Sequence, residues 1–178
     1  MSAPAPAPAP KPPAPPAPTA PPPNPAELEM MASLKAALKG LAEEPRRLTV
    51  RRMMTRAPPE KLREAITATK SVGCRRLSSI SGVDMGDTID VIYHMCAPGG
   101  ILISIRAATP KKDARLPTVV DLVPAAALYE REVHDLFGVV FEGNPDLRRL
   151  MLYEDWPEGQ YPLRKDWKPA TKEVAKHA

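Results

Sequence analysis

Apolar positions first settle into a helical rhythm at Leu28, Met31, Leu34, Leu38 and Leu41, which recur at steps of three and four residues. The residues ahead of them suit a helix start. Asn24 can cap the first turn, Pro25 fits its first position, and Glu27 is placed to close a capping box. This predicts one amphipathic helix ending near Gly40. A short β-prone piece follows from Leu48 to Met53. Pro58 and Pro59 then introduce a second helix with Leu62, Ala65 and Ile66 on one side and Gly73 as its stop.

The period then changes from helical to two. Arg76 to Val83, Thr88 to Cys96 and Ile101 to Arg106 alternate large apolar residues with polar or smaller ones, as strands with one face on a core should. Asp84 to Asp87 and Ala97 to Gly100 separate them, and both breaks are short and glycine-containing. An antiparallel meander is the simplest reading. From Pro124 the helical period returns through Leu128, Tyr129, Val133, Leu136 and Phe137 up to Gly138, and Val139 to Phe141 reads as a short strand. Beyond Glu142 the prolines and glycines break every period, which predicts a tail of irregular structure. The expected class is α+β: a small antiparallel or mixed sheet with helices on one face, followed by an extended irregular C-terminal tail. As domains, residues 26–141 form the α+β unit and 142–178 a docking tail.

Composition adds a third region. Thirteen of the 24 prolines precede Ala26, in a Pro/Ala run where Lys11 is the sole charged side chain before Asn24. Proline lacks an amide donor and alanine offers little apolar surface, so residues 1–25 read as a disordered tether outside any core. No stretch approaches the ~20 apolar residues of a membrane span. The amino terminus lacks the pattern of a secretory signal, so a place in the cytoplasm, at a membrane only through partners, is expected. Cys74 and Cys96 are too few for a disulfide framework or a zinc site.

The net charge of +4 is unevenly spread. Between Glu43 and Ile80 ten Lys or Arg face four Glu, with Arg46, Arg47, Arg51, Arg52, Arg56, Arg75 and Arg76 among them. A nucleic-acid-binding module is one reading of this segment, but it lacks stacking aromatics and any recognised nucleic-acid motif. A solvated basic face, or one that meets an acidic partner, fits better.

Catalytic chemistry finds little support. His94, His134 and His177 are scattered, Gly99-Gly100 precedes a strand where a phosphate loop should open a helix, and Asp84, Asp87 and Asp90 lack the ligand spacing of a calcium loop. The dense signal is Glu130-Arg131-Glu132-Val133-His134-Asp135. On a helix Glu130 would face His134, and Arg131 would face Asp135. Glu132 falls near the apolar side and would need a cationic or hydrogen-bonding partner. In the tail, Leu147, Leu150, Met151, Leu152, Trp156, Tyr161 and Trp167 are interleaved with Arg148, Arg149, Arg164 and Lys165. Large rings and guanidinium groups in a segment too broken to bury them suggest anchors sheltered by a neighbouring protein.

Residues 130–150, from Glu130-Arg131-Glu132-Val133-His134-Asp135-Leu136-Phe137-Gly138 through Asn144-Pro145-Asp146-Leu147-Arg148-Arg149-Leu150, resemble the signature of the 30 kDa subunit family of respiratory complex I. Tyr161-Pro162-Leu163-Arg164-Lys165-Asp166-Trp167 is similar to that family's carboxy-terminal run. The resemblance extends to the homologous subunit of membrane-bound group 4 nickel-iron hydrogenases. It implies a cofactor-free scaffold subunit of a peripheral arm, bracing the large subunit (49 kDa-like, or the hydrogenase large subunit) beside neighbouring iron-sulfur subunits. Glu130, Arg131, Glu132, Asp135, Arg148, Arg149, Arg164 and Asp166 would then serve assembly, with no catalytic role. Trp156, Tyr161 and Trp167 join them as interface anchors from the tail reading.

Overall fold

The computed structural model describes residues 21–169. Most of the expected Pro/Ala tether and the last nine residues, His177 among them, therefore lie outside the described residues. Helix α1 (Pro25–Ala37) starts as its sequence requires: the Asn24 side chain accepts from the Glu27 amide at 2.8 Å, and Glu27 accepts in return from the Asn24 amide at 3.0 Å. Leu34 and Leu38 reach the core, while Leu28 is exposed.

The single β-prone piece expected at Leu48 to Met53 is instead two strands, β1 (Arg46–Thr49) and β2 (Arg52–Arg56), turning back at Val50 and Arg51. Nothing in that pair announces a turn, and Arg51 adopts φ 55°, rare for a side chain with a Cβ. Two contacts from distant elements hold it there. The Arg51 amide donates to the second oxygen of Glu27, and its carbonyl accepts from the Leu102 amide.

Helix α2 (Leu62–Ser71) follows, burying Leu62, Ala65, Ile66 and Thr69. The meander then runs as expected through β3 (Arg76–Asp84), β4 (Thr88–Ala97) and β5 (Ile101–Pro110), antiparallel throughout. β2 pairs with β5 in parallel, so the sheet is mixed, with order β1-β2-β5-β4-β3. The short strand expected at Val139 to Phe141 is β7 (Val140–Glu142), and it pairs in parallel with β6 (Arg115–Pro117), which periodicity did not reveal.

Register puts Leu77, Ile80, Ile89, Val91, Tyr93, Met95, Ile101, Ile103 and Ile105 on one face of the sheet, all buried. The same face takes the helices. Helix α3 (Ala126–Phe137) lies against β3 so closely that a Cβ on Gly82 would stand 2.5 Å from the Phe137 ring. The opposite face carries Ile92, His94, Cys96, Leu102 and Arg106, half-buried beneath no helix. The expected α+β class, with helices on one face, is thus the observed architecture. Among the described residues no helix is long and apolar enough to cross a membrane.

Candidate docking surface around helix α3 and the carboxy-terminal segment

Residues 143–169 contain no helix or strand, as their prolines and glycines demand. The segment is nonetheless tied to its own domain, contrary to the expectation that its rings and guanidinium groups have no home within the chain. Asp135, 6 % exposed on α3, receives the consecutive amides of Leu150, Met151 and Leu152 on one carboxylate oxygen, at 3.1, 2.8 and 2.8 Å. Burial opposes ionisation of that carboxyl. The three amides, aided by the Arg149 charge, outweigh it and hold the pKa below the usual aspartate value. Arg131 completes the grip, its Nε donating to the Arg148 carbonyl and its Nη2 to the Arg149 carbonyl, with Asp146 at 3.8 Å. The expected pairing of Arg131 with Asp135 is therefore replaced: each binds the tail instead of the other.

Glu130 is the fully buried carboxylate of the helix, where the apolar period had pointed to Glu132. It accepts from the Thr118 hydroxyl at 2.6 Å, the Val119 amide at 2.8 Å and the Asn144 side-chain amide at 2.8 Å. Burial wins over these donors and raises its pKa. Glu132 is half-exposed and has no side-chain bond among the described residues. Nor does Glu130 face His134, whose Nδ1 instead donates to the Val139 carbonyl at 2.8 Å beyond the helix end.

A second set of ties fastens the last part of the segment. Gly138 ends α3 in the left-handed region, φ 70°, and the Tyr161 ring lies directly over it. The Arg164 guanidinium stacks 4.4 Å from the centre of that ring and donates through Nε to the Phe137 carbonyl at 2.7 Å. Lys111 bridges Asp84 at 2.8 Å and Asp166 at 2.7 Å, while the Lys165 amide also donates to Asp84. Desolvation works against the Asp84 carboxylate, but Lys111 and the amides of Gly86 and Lys165 bring its pKa down to about 2. Asp84 opens the short break that the sequence places between the first two strands of the meander. It makes the turn there, through the Gly86 amide, and the Lys111 contact spanning 27 residues had no local signal.

Trp156 stacks near Trp167, centroids 5.8 Å apart, and meets Tyr153 edge-on at 5.3 Å. Both tryptophans are half-buried. Leu150, Met151, Tyr153 and Leu163 remain 39–57 % exposed on this anchored segment. Between it and α3 lies a cleft of about 380 Å³ lined in part by His134, Arg148, Arg149, Trp156 and Tyr161. Asp166 holds Lys111 from an exposed position, and Arg148 is exposed and paired with Asp146. No group of three or more His, Cys, Asp or Glu among the described residues is arranged to hold a metal.

The pattern of this segment is shared with known proteins. The family described as "Respiratory-chain NADH dehydrogenase, 30 Kd subunit" matches residues 55–173. NADH-quinone oxidoreductase subunit 5 of Thermus thermophilus is 41 % identical over 123 residues, covering 62 % of this chain and 58 % of that protein. Membrane-bound hydrogenase subunit beta of Pyrococcus furiosus is 39 % identical over 99 residues, covering 53 % and 57 %. The chain thus spans under three-fifths of the length of these relatives. Among solved structures, a chain of the membrane-bound sulfane sulfur reductase, an archaeal respiratory membrane complex, superposes with TM-score 0.69 at 33 % identity, over 80 % of this chain and 86 % of that one. A trypsin-resistant fragment of Nqo5 gives 0.57 at 32 % identity, over 67 % and 98 %. The matched region includes α3, its buried carboxylates and the segment they anchor, and the chain belongs to the family of the 30 kDa subunit of respiratory-chain NADH dehydrogenase.

Proposed function

We propose that this chain is a cofactor-free scaffold subunit in the peripheral arm of a membrane-associated oxidoreductase, of the NADH-quinone or the group 4 hydrogenase type. It would brace the large subunit beside iron-sulfur neighbours on the cytoplasmic side. Family membership supports the coarse assignment, since the related proteins carry the names of subunits of such complexes.

One observation carries the finer reading. Leu150, Met151, Tyr153 and Leu163 stand in solvent on a segment whose backbone is fixed by Asp135, Arg131 and Arg164. Apolar side chains held rigidly in water lose little further freedom on binding, so such a platform suits a permanent partner. Trp156 and Trp167, half-covered by their own chain, present their remaining surface beside it.

The test is assembly. Met151→Asp with Tyr153→Ser should leave the isolated chain folded by circular dichroism and abolish its co-purification with the large subunit from native membranes. Normal co-purification would refute the platform. Stoichiometric iron or flavin in the pure wild-type chain would refute the cofactor-free assignment.

A further inference from the structure

The helix-free face of the sheet has a character that the tail does not share. Strand register places Arg46, Met54, Ser104 and His94 in one row across it, Arg56, Arg106 and Ile92 in the next, and Arg52, Leu102 and Cys96 on the other side. Four guanidinium groups thus converge on β1, β2 and β5 around a half-buried apolar strip of Met54, Leu102 and Ile92. Acidic neutralisation is incomplete. Asp90 is engaged by Arg106, and Glu43 reaches Arg56 only at 4.0 Å. Among the described residues no carboxylate lies within 4.0 Å of the Arg46 or Arg52 guanidinium. Burial and then the charges of Arg56 and Arg46 depress the pKa of Arg106, a sign that these cations crowd one another. A recess of about 260 Å³ is lined by Arg46, Met54, Arg56 and Arg106 together with Glu43 and Glu44.

We propose that this open sheet face is a second docking surface, whose occupant is an acidic segment of a neighbouring protein with carboxylates spaced to meet Arg46, Arg52 and Arg56. Charge complementarity selects the occupant. Crowded arginines over an apolar floor gain from carboxylates that relieve their mutual repulsion and accept fork-shaped hydrogen bonds. A nucleic acid would satisfy the charge, but among the described residues the face offers no Phe, Tyr or Trp ring for base stacking, and its imidazole, His94, is held between the hydroxyls of Ser81 at 3.2 Å and Ser104 at 2.9 Å. Arg46, Arg52 and Met54 precede the family match, which begins at residue 55, whereas Arg56, Arg106, Leu102 and Ile92 lie within it. This surface stands apart from the tail platform and is testable without it.

The experiment titrates the full chain with poly-L-glutamate and, separately, with single-stranded DNA of equal charge, following anisotropy at several salt concentrations. Arg46→Glu/Arg52→Glu/Arg56→Glu is compared with a charge-matched control, Arg75→Glu/Lys112→Glu/Lys168→Glu, all at exposed positions. The proposal expects the face variant to lose poly-L-glutamate affinity about tenfold or more while the control falls much less. A photo-crosslinker at Met54 in the assembled complex should capture an Asp/Glu-rich peptide of another subunit. Equal losses in the two variants, tighter binding of DNA than of poly-L-glutamate through the same arginines, or a Met54 crosslinker that captures no subunit would each overturn it. The tail platform is judged separately, by the Met151/Tyr153 variant, which should leave poly-L-glutamate binding intact.

Discussion

Gly138→Ala tests how firmly the carboxy-terminal segment belongs to its own domain. The glycine ends α3 at φ 70°, where an alanine costs about 1 kcal/mol in backbone strain. Its new Cβ would also stand 2.7 Å from Cε1 of Tyr161, with Cζ closer still, so the ring must leave. Losing the packing of a half-buried ring costs about 1–2 kcal/mol, and losing the Arg164 stack about 0.5–1 kcal/mol more. Gly138→Ala should therefore destabilise the chain by about 2–4 kcal/mol, but by only about 1 kcal/mol when introduced on top of Tyr161→Ala. Both tryptophans of the chain, Trp156 and Trp167, lie in this segment, so their fluorescence during urea unfolding reports its release while far-ultraviolet circular dichroism reports the sheet. Gly138→Ala should shift the fluorescence transition ahead of the dichroism transition. Equal destabilisation by Gly138→Ala in the wild-type and Tyr161→Ala backgrounds would refute the reasoning, since the clash would then contribute nothing.

Asp135→Ala removes the acceptor of three amides and should cost about 2 kcal/mol or more, with new proteolytic cuts near Met151; an unchanged digest would count against the anchor. Asp84 has its pKa lowered to about 2, against about 3.9 unfolded. Its contribution is therefore present above about pH 4 and lost as pH falls through about 2, and Asp84→Asn should flatten the acid limb of the stability profile measured by urea titration. Glu130 has the opposite sign, because burial raises its folded pKa, so stability falls as pH rises from its unfolded value through the folded one. Glu130→Gln should remove that slope, and it should also cost about 1–3 kcal/mol because one acceptor oxygen becomes an amide NH2 donor facing other donors; an unchanged stability would show that the three bonds to Glu130 carry no weight.

The elements that announced themselves in the sequence are those whose causes are local. The Asn24 and Glu27 box, the alternation of β4 and β5, and the Gly138 stop each act within a few residues, and each is where the pattern put it. What remained hidden depends on distant contacts. The turn at Arg51 is held by Glu27 and Leu102, neither of which neighbours it in sequence. The choice of Glu130 over Glu132 as the buried carboxylate follows from donors on residues 118, 119 and 144, which a helical period does not register. The signature residues were legible as a group through their resemblance to the family. Their individual bonds were not, because Arg131 and Asp135 bind backbone atoms of a segment whose path no periodicity describes.

The parallel pairing of β2 with β5 also decides how safely this chain can be shortened. β5 is ten residues long and largely apolar, and among the described residues its edge away from β4 is paired with β2 of the amino-terminal hairpin, which ends in the four-residue, arginine-bearing β1. Such a short, charged border discourages sheets of separate molecules from joining, whereas a bare β5 would invite it. A fragment trimmed to begin at Thr55, where the family match starts, would strip that border. It should form light-scattering aggregates at concentrations where the longer chain stays monodisperse.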